Sequence, residues 1–190
     1  MSTLHMNRSV SRCVLGMSLV ALAGVGSSTI STPASAQGLT LESCTGLHQA
    51  SWNPGVTNTP AEHTVSTTSN WLCTGEDLEV SASSVNQFEA TFACSGLLGP
   101  VDGLVWTINW GDQNGPPTST LSFNVTVEAV DGNLVITSNG GKITAGRYAG
   151  SSALATFVLL GLAGLESNQC EAPAGLTGAG GATTLTITSL

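Results

Sequence analysis

Apolar and polar residues alternate along much of this chain with a period of two, the pattern of β-strands that bury one face. The clearest stretch is 104–110, where Leu104, Trp106, Ile108 and Trp110 alternate with Val105, Thr107 and Asn109. A strand there puts two tryptophans and two aliphatics on a single face. The Gly- and Pro-rich segment 111–117 ends it. Leu121, Phe123, Val125, Val127 and Ala129 follow in phase, and Asp131-Gly132 then gives a two-residue hairpin signal of the type I′ kind. That turn predicts Ala129 opposite Leu134 and Val127 opposite Ile136, apolar against apolar.

Other elements are marked less sharply. Residues 45–52 predict a first strand stopped by Asn53-Pro54-Gly55, and 57–60, bounded by proline, is expected to run extended at an edge. A second strand is expected over 63–73 before a turn at 75–77. Residues 79–83 and 87–95 predict two short strands, the latter with Phe88, Ala90, Phe92 and Cys94 in phase. Asn139-Gly140-Gly141 predicts a turn, and 183–188 a closing strand with Leu185 and Ile187 on one side. The apolar run 153–165 is too short for a membrane-spanning helix, and its part 154–160 reads as a strand buried on both faces. About nine strands at this spacing predict a single-domain antiparallel β-sandwich, immunoglobulin-like or Greek-key. A closed barrel is the alternative. It is disfavoured because a barrel wide enough for a ligand needs longer strands of even length.

The first 36 residues change the setting. Arg8 and Arg12, the apolar run 13–25 and the ending Ala34-Ser35-Ala36 form a charged, a hydrophobic and a cleavage region, and predict a secretory signal peptide over 1–36. The domain is then 37–190. Of five cysteines, Cys13 leaves with the leader. Cys44, Cys73, Cys94 and Cys170 remain in an oxidising compartment, where they are expected to form two disulfides. Three connectivities are open. A hairpin of the first two strands favours Cys44–Cys73 with Cys94–Cys170.

The formal charge of −8 becomes more negative by two once Arg8 and Arg12 are removed, leaving Lys142 and Arg147 as the strong bases. Nucleic acid and anionic membrane surfaces both demand clustered cations, so neither is an expected partner.

Candidate chemistry is sparse. His48 and His63 stand at no metal-ligand spacing and read as surface or turn histidines; no metal or other cofactor is expected. Asn109, Asp112, Asn114 and Gly115 match a calcium loop only faintly. There is no nucleophile elbow, and Glu76, Asp77 and Glu79 read as a solvated acidic turn. The expectation is a protein that is not an enzyme. The aromatics offer a ligand-binding reading: Trp52, beside its Pro-Gly turn, is the expected exposed ring, with Trp110 beside the 111–117 segment as second candidate. Trp106 falls in the core phase.

The ordered set Cys44, Asn53-Pro54-Gly55-Val56-Thr57, Cys73, Cys94, the segment 106–111, Thr118-Ser119-Thr120, the segment 141–146 and Cys170 resembles that of small secreted actinobacterial all-β proteins of unassigned function. The resemblance implies an exported β-domain and brings no catalytic residues. In acidity, paucity of Lys and Arg, and two disulfides, the chain is also similar in kind to the immunoglobulin-like apoproteins of actinomycete chromoprotein antibiotics. The expected function is that of an extracellular or cell-envelope interaction or structural module, its partner a protein, a glycan or a small molecule. Alternatives are a carrier of a small apolar ligand in a cleft between sheets and, behind it, a polysaccharide or peptide hydrolase.

Overall fold

A computed structural model describes residues 38–75, 79–97, 99–160 and 169–190. The expected signal peptide over 1–36 and the acidic pair Glu76 and Asp77 lie outside the described residues. Eight strands follow one another: β1 (Thr40–Val56), β2 (Ala61–Gly75), β3 (Glu79–Phe92), β4 (Val101–Trp110), β5 (Thr118–Val130), β6 (Asn133–Gly146), β7 (Ser152–Leu159) and β8 (Leu176–Thr188). Each pairs antiparallel with the next, and β8 returns to β1 to close a barrel.

The expected nine-stranded sandwich is therefore wrong, and the reason lies in the turn signals. Asn53-Pro54-Gly55 does not end β1. The strand slips register against β8 between Ser51 and Val56, and Pro54, which lacks an N–H, sits in that irregularity. Gly55 is needed there because a Cβ would stand 2.1 Å from the Ala174 carbonyl oxygen. Asn139-Gly140-Gly141 likewise lies inside β6, where register shifts occur against both neighbours. Segments 79–83 and 87–92 fuse into β3, and the expected continuation to 95 with Cys94 in phase is instead a 3₁₀ turn from Cys94. Glycine and proline thus mark bulges that coil long strands, up to the 17 residues of β1, into a closed surface. The strand expected to be buried on both faces is β7. Ala153, Ala155, Phe157 and Leu159 point inward, while Leu154 is half-exposed outside.

The hairpin at Asp131-Gly132 forms with positive φ at both residues, as a type I′ turn requires, and pairs Ala129 with Leu134 and Val127 with Ile136. Cys44 is bonded to its cross-strand partner Cys73, and Cys94 to Cys170.

Alternation now has a geometric meaning. Inward positions are buried and mostly apolar, with His48, Thr67, Ser69 and Thr183 among the exceptions, whereas Thr45, Gln49, Ser51, Ser66, Asn70 and Thr184 share the outside of β1, β2 and β8 with exposed Leu47 and Leu72. The interior divides along the axis. One end, the base, holds the start of β1 and the β4–β5 and β6–β7 connections; its core includes Trp71, Ile108, Trp110, Leu121, Ile143 and Leu185. The other end, the mouth, holds the β1–β2, β3–β4, β5–β6 and β7–β8 connections around Trp52, Val65, Leu97, Leu134 and Leu159.

Candidate functional site

An eight-stranded barrel has an interior just wide enough to be filled by side chains or to hold one small ligand. Here the base is filled and the mouth half is not. A cavity of about 80 Å³ lies inside the barrel, walled by Trp52, Phe92, Leu104, Trp106, Val127, Ile136, Phe157 and Leu159, with Ala50 leaving room on β1. Leu97 and Gly99 of the β3–β4 connection also line it. That connection begins with a 3₁₀ turn, Cys94–Gly96, anchored by a hydrogen bond from the Cys94 amide to the Thr57 carbonyl and by the bridge to Cys170. The mouth is thus strapped to its neighbours covalently.

The polar groups in the wall are few. His48 is buried, with Nδ1 2.7 Å from the Ser69 hydroxyl, its ring stacked on Trp106 at 6.1 Å and tilted on Phe157 at 4.5 Å. Burial lowers its pKa to about 4, so the ring is neutral at pH 7. Thr67 Oγ1 and Trp106 Nε1 are buried without a hydrogen-bond partner. No carboxylate or lysine lines the cavity among the described residues.

The base is built on other chemistry. Arg147, 6% exposed, pairs with Asp112, and its guanidinium lies 5.2 Å from the Trp110 ring and 5.1 Å from that of Tyr148. Tyr148 donates its hydroxyl proton to the buried carboxylate of Glu42. The Trp110 Nε1 proton goes to the Ser119 hydroxyl, which donates to the Arg147 carbonyl. This cluster closes the barrel.

The structure separates the two tryptophans singled out for ligand binding. Trp52 is buried rather than exposed, because β1 continues past it, and its ring forms part of the cavity wall. Trp110 is buried in the base plug. Both histidines are interior and not on the surface: His63 donates its Nδ1 proton to the Pro54 carbonyl at 2.6 Å, riveting the β1 irregularity to β2. Asp112, read as part of a faint calcium loop, is the partner of Arg147. Among the described residues no group of three or more His, Cys, Asp or Glu is placed to hold a metal ion. Phe157 and Leu97 were not singled out from sequence, and His48 reads there as a surface or turn residue. Only His48, in phase with Cys44, Ala50 and Trp52 on β1, carried a usable signal, since a period of two put it inward.

Outside the barrel, three hollows of about 300–330 Å³ lie over the sheet, each lined largely by strand residues facing solvent. They are larger than the interior cavity but open. Apolar enclosure singles out the interior as the candidate site. No protein-family model, curated protein or solved structure matches this chain.

Proposed function

We propose that this protein is exported and binds a small, neutral, apolar molecule in the mouth half of its barrel, holding it without transforming it. The observation that carries the reading is the cavity itself. It is an unfilled apolar space in an interior otherwise packed to the base, and dry apolar cavities bind apolar guests. A neutral His48 and a lining that holds no carboxylate or lysine among the described residues favour a neutral guest. Two disulfides are those of a protein in an oxidising, extracellular setting. Apolar inside and hydroxyl-rich outside is the reverse of a lipid-facing barrel, which supports work in water. The carrier reading thereby overtakes the interaction module, with the barrel interior in place of a cleft between sheets.

Xenon tests it. Titrating ¹⁵N-labelled protein with xenon is expected to shift the indole signals of Trp52 and Trp106 saturably and to leave Trp71 and Trp110 unmoved. Ala50→Leu, which fills the space, should abolish those shifts. Uniform shifts, or persistence in the filled variant, would refute the cavity as a binding site.

A further inference from the structure

A space of about 80 Å³ is small against the roughly 300–1,000 Å³ of ordinary ligand pockets. The barrel wall beside it resolves the difference. β3 and β4 pair only at Ala82 with Trp110 and Ser83 with Asn109, whereas the other neighbouring strands share longer ladders. Just beyond that point, side chains stand in for the ladder. The Thr107 amide donates to Asn86 Oδ1, and the Thr107 carbonyl accepts from the Ser84 hydroxyl. Toward the mouth, no register pair joins β3 to β4. Burial changes at the same place: inward-facing Val80, Ala82 and Ser84 are buried, while inward-facing Asn86, Phe88, Ala90 and Phe92 are only partly buried. The seam is open.

Gly103, with φ of +71°, sits in a bulge on the β4 side, its amide drawn to Asn124 of β5 and away from β3. Over the seam lies one of the outer hollows, about 300 Å³, between Val85, Asn86 and Gln87 on one bank and Gly103 and Val105 on the other. Val85 and Val105 are 70% and 61% exposed. Phe88, Leu104 and Trp106 line both this hollow and the interior cavity. The two spaces back onto the same three side chains.

From this shared wall and the short ladder we infer that the β3–β4 seam is a lateral extension of the binding site, and that the ligand is an unbranched chain with a neutral polar head. Its apolar end occupies the cavity, and its remainder passes between the strands into the outer groove. Together the two spaces reach the size of an ordinary ligand pocket. Val85 and Val105 offer the chain apolar contact outside, and the side-chain amide of Gln87 offers hydrogen bonds to an ester, amide or alcohol, while that of Asn86 is held by Ser84 and Thr107. An anionic head finds no lysine or arginine there among the described residues, since Arg147 is held at the base by Asp112 and Lys142 belongs to β6. Disruption of a continuous ladder also gives a chain a way in beside the strapped mouth.

The inference rests on the cavity reading, and the test separates the two. Labelled protein is titrated with xenon, which needs the cavity alone, and with methyl octanoate, which needs the seam. The ester is expected to shift the amides of Val85, Gln87, Gly103 and Val105 as well as the Trp106 indole. Val105→Asp, an exposed site that fold stability tolerates, should weaken the ester by at least fivefold and leave xenon unchanged. Ester shifts confined to Leu97, Gly99, Leu134 and Leu159, or equal affinity in the variant, would place the chain through the mouth and overturn the seam. Xenon binding without ester binding overturns the seam and keeps the cavity; failure of both overturns both.

Discussion

The two ends of this barrel are built by opposite means. At the base, large side chains interlock around an ion pair: Arg147 pairs with Asp112 and lies against Trp110 and Tyr148, Glu42 accepts from Tyr148, and the Cys44–Cys73 bridge is sealed within the packing. At the mouth, packing stops short, and order comes from a covalent strap between two connections. The buried polar atoms that find no partner among the described residues differ in kind as well. At the base they are second oxygens of carboxylates whose first oxygen is bonded, Glu42 Oε2 and Asp112 Oδ2. Around the cavity they are the one donor of Trp106 and the hydroxyl of Thr67. A half built for packing closes the barrel; a half held by a tether leaves room inside it.

The largest effect expected from breaking this division is loss of the mouth strap. Replacing Cys94 and Cys170 together by Ser frees a loop with a sequence separation of 76, which costs about 4.5 kcal/mol in the chain-entropy model. Urea unfolding should report it. Near-ultraviolet dichroism from the base rings Trp110 and Tyr148 should be unaltered in the folded variant, because the strap touches neither. A collapse of that signal would mean the two ends are one cooperative packing unit.

The base should fail differently. Arg147→Met removes the partner of Asp112 and the cation over two rings; breaking such a buried pair costs about 3 kcal/mol, with Asp112, 20% exposed, keeping the figure at the low end. Xenon affinity should be unchanged in the folded protein, and a loss of binding would couple base to cavity.

Acid should act through the mouth half. His48 is neutral when folded, its pKa lowered by burial from 6.5 to about 4, and the groups packed on it, Ser69, Trp106 and Phe157, do not titrate in this range. The unfolded chain takes up a proton near pH 6.5 that the folded chain refuses. Stability is therefore full above that pH and falls as pH drops toward 4, by on the order of 3 kcal/mol. Urea midpoints at pH 7.5 and 4.5 measure the drop, and His48→Gln should flatten it. An equal fall in that variant would assign the acid sensitivity elsewhere.

Much of the wall was legible in the chain, and its closure was not. The phase of Leu104 to Trp110 and of Leu121 to Ala129, and the Asp131-Gly132 turn, are local, and each forms as its residues dictate. Pro54 and Gly140-Gly141 misled because a turn and a bulge call for the same residues, and only the neighbouring strand decides between them. That decision is what separates nine strands in two sheets from eight in a barrel. The site was less legible still. A cavity is a shortage of volume among residues from seven strands, and no segment states it. Trp52 was singled out for an exposed ring and lines the cavity from inside; Trp110 sits at the far end. The open seam between β3 and β4 has no sequence signal beyond Gly103, since both strands alternate as well as any other.

One substitution made at both ends gives the finest comparison. Ala50 and Ala155 are both inward and buried, but Ala50 lines the cavity and Ala155 sits in the packed core. Leu at position 50 adds apolar carbon to empty space. At about 0.8 kcal/mol per buried methylene, less the strain of fitting a branched chain, it should stabilise by roughly 1 kcal/mol. Leu at position 155 must push aside neighbours already in contact, and overpacking costs about 1–3 kcal/mol. The same change should therefore raise the thermal midpoint at one end and lower it at the other. If both variants are destabilised alike, the mouth half is packed as tightly as the base and the cavity does not exist as a usable space. Opposite signs mark the boundary between the plug and the site, at single-residue resolution.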